Sequence, residues 1–307
     1  MLYEYAVEPE AMGSSWANFR YLFEMFGFDK GRVISEFPKR WLREVYDASL
    51  GLPAVEKKRI EEALSRARKN KLVRSHRPYD GEAGDWLQNA LTDHKRSPFH
   101  AIIARENPQG SDFVLLLDDL NEQNPFWSVP HDCAIPRDAP SLAAAMKEML
   151  RFSSHILFVD PFFDPYNRRY QSTVRDCLNI VSSENPDAVC EIHYRFHENK
   201  PANGELEREA ANLFRGVIPE GLKVSIFCWQ ERPGGADFHA RYLLTEKGGI
   251  GVDAGFSAEG NHQTTDMHLM SFEHSQEKLG AFARRATDYE LVEPVLQIAA
   301  NGSVEHV

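Results

Sequence analysis

The sequence predicts an α/β protein in two parts, and three observations carry that reading. From Ser141 onward, apolar runs of strand length alternate with stretches of helical period. Over roughly the first 95 residues the periodicity is helical, and two strand-like runs follow it. Between the two parts, "NEQNPFWSVPHDCAIPRDAP" holds four prolines and little periodicity. The boundary is placed near residue 140, with a mostly helical N-terminal region carrying a β-hairpin over 1–140 and an α/β domain over 141–307.

In the first part, "SSWANFRYLFEMFGF" starts on serines suited to capping and repeats its aromatics at helical spacing. "PKRWLREVYDAS" opens on Pro38, which fits a first helical position. "PAVEKKRIEEALSRARKNK" has a helix period and ends in cations that suit a helix C-terminus. "GDWLQNAL" reads as a shorter fourth helix. "FHAIIARE" and "DFVLLLDDL" read as strands, and the turn-rich "NPQGS" between them suggests a hairpin.

In the second part, "SLAAAMKEMLRFSS", "RYQSTVRDCLNIVSS" and "ELEREAANLFRGV" are predicted helices. They alternate with the strands "HILFVDPFF", "AVCEIHYRF" and "KVSIFCWQ", and "RYLLTE" and "GIGVDAGF" follow around Gly248-Gly249. Such alternation implies a mainly parallel sheet flanked by helices, with ligand sites at the carboxyl ends of its strands. Asp160, the His193–His197 stretch and the loop before His239 all fall at that edge.

Composition narrows the function. With 307 residues, 42% hydrophobic and 26% charged, the chain is of ordinary globular type. No apolar run approaches membrane-spanning length, and "MLYEYAVEPE" lacks a secretory pattern, so cytoplasmic residence without membrane association is expected. Four cysteines without CxxC spacing read as buried free thiols. The net charge of -11 argues against a uniformly basic nucleic-acid coat. Between Arg32 and Arg77, however, thirteen Lys and Arg face six Asp and Glu. Either this is a solvated helical face or it holds nucleic acid, with Lys39, Arg40, Arg43, Arg66 and Lys69 as candidate contacts.

One stretch concentrates chemistry: "FHARYLLTEKGGIGVDAGFS", residues 238–257. In an extended segment His239 and Arg241 point to the same side, and Glu246 lies five positions past Arg241. This HxR(x)4E pattern resembles the HxK(x)4D motif of the phospholipase D superfamily, with "AGFS" where that family has a glycine-serine segment. The order of elements around it is similar too, and the resemblance covers about residues 141–297. Lys is replaced by Arg and Asp by Glu, and arginine still forks onto phosphate.

The resemblance implies His239 as nucleophile or acid, Arg241 as phosphate clamp, Glu246 as the carboxylate that orients a histidine, and Ser257 as a supporting phosphate donor. Asp160, His193, Arg195 and Asp266 are the further candidates for the substrate cleft. "HYRFHENK" offers a second HxR at His193 and Arg195, but Lys200 stands where an acid is needed. The second histidine of the family's chemistry is then expected from another copy of the chain, in a homodimer. The chemistry implied is a metal-independent, cofactor-free phosphodiesterase acting on nucleic acid, DNA ahead of RNA. The competing reading is an inactive relative that binds nucleic acid or serves as an assembly subunit of a bacterial DNA-processing or anti-phage defence complex.

Overall fold

A computed structural model of the chain describes residues 1–198 and 203–307, with Asn261 through its backbone. It divides into two compact units, Met1–His131 and Asp132–Val307. Both are α/β. No helix among the described residues is long and apolar enough to cross a membrane.

Unit 1 contains a sheet that the helical reading misses. Strands β1 (Tyr3–Val7), β2 (Arg32–Ser35), β3 (Leu72–Val73), β4 (Ala101–Ile103) and β5 (Val114–Leu115) are all parallel, in the order β3-β2-β1-β4-β5. Almost every strand residue is buried, so none of them shows the polar–apolar alternation of a half-exposed strand. Helices α1 (Pro9–Gly13), α2 (Trp16–Met25), α3 (Trp41–Ala48), α4 (Ala54–Asn70) and α5 (Trp86–Arg96) match the predicted helical segments, α1 excepted. The aromatic stripe of α2 is core: Phe19 is fully buried with Tyr5, Phe26 and Trp41. The Trp41 indole donates to the Val7 carbonyl at 2.6 Å, tying α3 to the end of β1.

The expected hairpin is absent, because β4 and β5 lie parallel with Ile102 opposite Val114. The connection 104–113 returns the chain to the start of the sheet, and Asn107 folds it. Its amide donates to the carbonyls of Ser111 and Val114 at 2.9 and 3.0 Å, and its oxygen accepts from Ser111 N–H at 3.0 Å.

Two members of the basic stretch are interior. Arg32 donates twice to the Trp127 carbonyl, at 3.0 and 2.8 Å, and lies 4.4 Å from that indole's centroid. Arg77 bridges Glu4 at 2.7 Å and Asp93 at 2.8 Å, all three side chains being within 5% of full burial. These two cations hold the fold together. Lys39, Arg40, Arg43, Arg66 and Lys69 are exposed.

Unit 2 is a nine-stranded sheet, β14-β13-β9-β8-β7-β10-β11-β12-β6. Its centre is the parallel trio β7 (His155–Val159), β8 (Val189–Arg195) and β9 (Lys223–Glu231). On one side follow β10 (Tyr242–Thr245), β11 (Gly249–Val252), β12 (Gly260–Leu269) and β6 (Asp132–Arg137), all antiparallel to their neighbours. On the other side are β13 (Tyr289–Ala299) and β14 (Val304–His306). Helices α6 (Ala139–Phe152), α7 (Arg168–Glu184), α8 (Asn203–Leu213) and α9 (Phe272–Ala281) join these strands. The unit begins at residue 132, not near 140, because "DCAIPR" is the edge strand β6. Pro136 is compatible with that role, since an edge strand leaves one row of backbone groups unpaired.

Candidate functional site

The register of β10 decides which predicted residues meet. It runs antiparallel to β7, with Tyr242 opposite Val159 and Thr245 opposite Ile156. The residues before β10, His239 and Arg241, therefore lie at the carboxyl ends of β7, β8 and β9, where Asp160, Arg195 and Glu231 also stand.

His239 is positioned by its neighbour. Phe238 is buried against Phe282 and Tyr289, with ring centroids 5.1 and 5.2 Å away. Its backbone N–H donates to Glu231 Oε1 at 2.7 Å. With Phe238 anchored inward, His239 is left exposed at the sheet end. The Phe238 N–H, the Arg195 guanidinium at 3.0 Å and the nearby His239 imidazole hold the Glu231 carboxyl below the usual range. Glu231 thus stands near His239, held there by the Phe238 N–H and Arg195.

Two arginines share one exposed ring. Arg241 lies 4.7 Å and Arg195 5.6 Å from the centroid of Phe162, which is 43% exposed. Arg241 also donates to the Asp253 carbonyl at 2.8 Å, and its own carbonyl accepts from Val252 N–H at 3.0 Å. The arrangement gives two guanidiniums, an imidazole and an aromatic face at one edge. It can bind a phosphodiester and stack a base beside it.

The remaining predicted residues are placed otherwise. Glu246 is at the opposite end of β10, where it accepts from Ser154 N–H at 2.9 Å, Ser154 Oγ at 3.1 Å and His155 N–H at 3.1 Å. The five residue steps from Arg241 to Glu246 span about 17 Å at ~3.4 Å each, so Glu246 has no access to His239. Its role is to fasten the start of β7.

His193 is fully buried and lines no cleft. It stacks on Phe227 at 4.6 Å, accepts from the Trp229 indole N–H at Nδ1 (2.9 Å) and meets Glu191 through Nε2 at 2.9 Å. The indole is a donor only, so the imidazole is neutral with its proton on Nε2. Ser257 is buried and its hydroxyl donates to Glu259 at 2.8 Å, which takes it away from any phosphate.

Asp160 is 2% exposed and acts as a staple: Oδ1 accepts from Phe162 N–H at 2.9 Å and Oδ2 from Phe256 N–H at 3.0 Å. It supports the loop that carries Phe162. Asp266 is exposed on β12, two strands away from β10, with its carbonyl accepting from Asp253 N–H. Lys200 lies outside the described residues. Among the described residues no group of three or more His, Cys, Asp and Glu is arranged to hold a metal ion. In unit 1, Lys39 lines a cavity with Arg68 and Arg74, whereas Arg43 pairs along α3 with Asp47 at 3.0 Å.

The staple yields a direct prediction. Gly255 has φ +74°, and a Cβ there would lie 2.3 Å from Asp160 Oδ2. Gly255→Ala is expected to cost more than about 1 kcal/mol of stability, through the left-handed backbone and the displaced carboxylate. Urea denaturation measures it, and an unchanged midpoint would refute the staple.

The sequence reading overlooked Phe162 and Glu231. Both carry a sequence signal, one following the Asp160-Pro161 step and the other directly following the predicted strand "KVSIFCWQ".

No protein-family model matches the chain, and no curated protein matches it. Among solved structures, the chain is similar to TrmBL2, described as an archaeal chromatin protein whose structure shows a novel mode of DNA binding, at 14% identity and a TM-score of 0.30. The match spans 52% of this chain and 55% of that one, and a likeness of this size carries no argument about function.

Proposed function

We propose that unit 2 is a metal-independent phosphodiesterase of the phospholipase D type, acting on nucleic acid at the sheet end that holds His239, Arg241, Arg195 and Glu231. The observation that carries this reading is the exposed His239 beside two guanidiniums that can take non-bridging phosphate oxygens. In the reaction, an imidazole nitrogen of His239 attacks phosphorus and the bond to the leaving oxygen breaks. A second imidazole, His239 of another copy across a two-fold axis, protonates the leaving alkoxide. Water then cleaves the P–N bond and restores the histidine. Glu231, in place of Glu246, is the carboxylate that steadies the imidazole.

The test is turnover of single- and double-stranded DNA and RNA, and of a bis-aryl phosphodiester, with EDTA present. Cleavage is expected to survive chelation and to fall roughly 10³-fold or more in His239→Ala. Size measurement under the same conditions is expected to give a dimer.

A second reading has its own support. Glu246 is remote from His239, and Arg241 is already engaged with Asp253 and Phe162. An inactive nucleic-acid-binding subunit of a larger complex would show such a site. Absence of cleavage by the wild type, with nucleic-acid binding retained, would decide for it.

A further inference from the structure

At the carboxyl ends of β2 and β3, unit 1 encloses a cavity of about 430 Å³ lined by Glu36, Lys39, Arg68, Arg74, His76 and Arg77. This volume is within the range of small-ligand sites. The carboxyl edge of a parallel sheet is also where such folds place ligands. Glu36 follows β2 directly, Arg74 follows β3, and Arg68 enters from the last turn of α4.

The cations in this cavity are organised from within. The Glu36 side chain is 4% exposed and pairs with Arg68 and, at 3.5 Å, with Arg74. Those arginines are 52% and 67% exposed. One buried carboxylate thus orients two guanidiniums from separate elements while leaving much of each facing solvent. Forks fixed in advance lose less freedom on binding an anion. Arg77 is different, because Glu4 and Asp93 already balance its charge. Leaving it aside, the lining sets Lys39, Arg68 and Arg74 against Glu36 alone, an excess of two positive charges.

The backbone agrees with a built site. His76 has φ 52°, the left-handed conformation at a non-glycine residue. Such conformations are costly and collect at ligand clamps. Here the segment 74–77 brings three side chains into one cavity.

We infer that this cavity binds a terminal phosphoryl group, the phosphomonoester dianion of a nucleotide or of a nucleic-acid 5′ end. Two excess charges match a dianion. Two guanidinium forks and an ammonium match its three terminal oxygens. A backbone phosphodiester offers one charge and only two such oxygens. The site is independent of the proposed chemistry in unit 2.

Isothermal titration of the full chain would use inorganic pyrophosphate, ADP, and one oligonucleotide with either a 5′-phosphate or a 5′-hydroxyl. Binding of pyrophosphate is expected, and Arg74→Ala and Lys39→Ala should each weaken it by about ten- to a hundredfold. Lys39 is exposed, so the melting temperature should hold in Lys39→Ala, whereas Arg74→Ala leaves buried Glu36 paired with Arg68 alone and its binding is read beside its own melting temperature. Binding of ADP assigns the free nucleotide as ligand, and binding of the 5′-phosphorylated strand alone assigns the nucleic-acid end. The inference is overturned if no phosphoryl probe binds, if the two oligonucleotides bind equally and alone, or if neither variant weakens binding.

Discussion

Arg77→Met is expected to destabilise unit 1 by about 3–5 kcal/mol, the cost of breaking a buried ion pair from one side. The guanidinium donates to Glu4 through Nε and Nη2, to Asp93 and the Ser97 carbonyl through Nη1, and lies 3.8 Å from the Phe99 ring centroid. Asp93 retains Arg96 at 2.8 Å when Arg77 is removed. Glu4, within β1 at the middle of the sheet, loses both of its Arg77 hydrogen bonds while its side chain stays buried. The double variant Glu4→Gln/Arg77→Met should recover part of the loss, since neither partner then carries a charge. Arg66→Ala, an exposed change in the same basic stretch, should stay within about 0.5 kcal/mol. Urea denaturation checks all three, and an Arg77→Met cost below about 1 kcal/mol would show that the network is not holding the sheet.

Unit 2 is expected to lose stability in acid through one cluster. Burial opposes the charge of Glu191, but hydrogen bonds from His155 and His193 outweigh it and hold the carboxyl at about 2, below its ordinary 4.5. A depressed carboxylate contributes stability above pH 4.5 and loses it as pH falls toward 2. Burial also pushes His193 below its ordinary 6.5, so its neutral form is favoured and its contribution is lost as pH falls from 6.5. His155 acts in the other direction. Its bond to Glu191 raises it, so its contribution is present below 6.5 and lost as pH rises through its folded value. The Glu191 shift alone corresponds to roughly 3 kcal/mol, at 1.36 kcal/mol per unit. Unfolding free energies measured from about pH 7 to 2 should therefore fall, most steeply below 4.5. Glu191→Gln should flatten that lower limb, and an unaltered slope would place the acid sensitivity elsewhere.

The legible parts of the fold were those with long periodic signals. The strands β7, β8 and β9 are apolar runs between amphipathic helices, and their carboxyl ends predicted the edge where His239 and Arg241 lie. The strands of unit 1 were not legible because they have two to five residues each and are buried on both faces. "RVIS" and "LV" resemble any other short apolar patch. The β4–β5 pair is not legible because a turn-rich loop signals a reversal without saying whether the chain reverses once or twice. Strand β6 was hidden by Pro136, which is a breaker in the interior of a sheet but not at its edge.

Glu246 is the instructive miss, because the information was present. "RYLLTE" reads as a strand, and a strand carries its two ends apart by its own length. A motif with four intervening residues looks compact in sequence; in extended backbone it spans the sheet. His193 was illegible for the opposite reason. Only the tertiary neighbours Phe227 and Trp229, from the adjacent strand, turn a polar strand position into core.

The position of β6 bears on how the second unit would be handled alone. A fragment started at residue 140, where the prolines invite a cut, would lack the strand that pairs with Thr264–His268 of β12. The backbone of β12 would then face solvent along its length, a template for strand addition between molecules. Six residues, Asp132–Arg137, thus separate a fragment that keeps its own sheet border from one inclined to self-association.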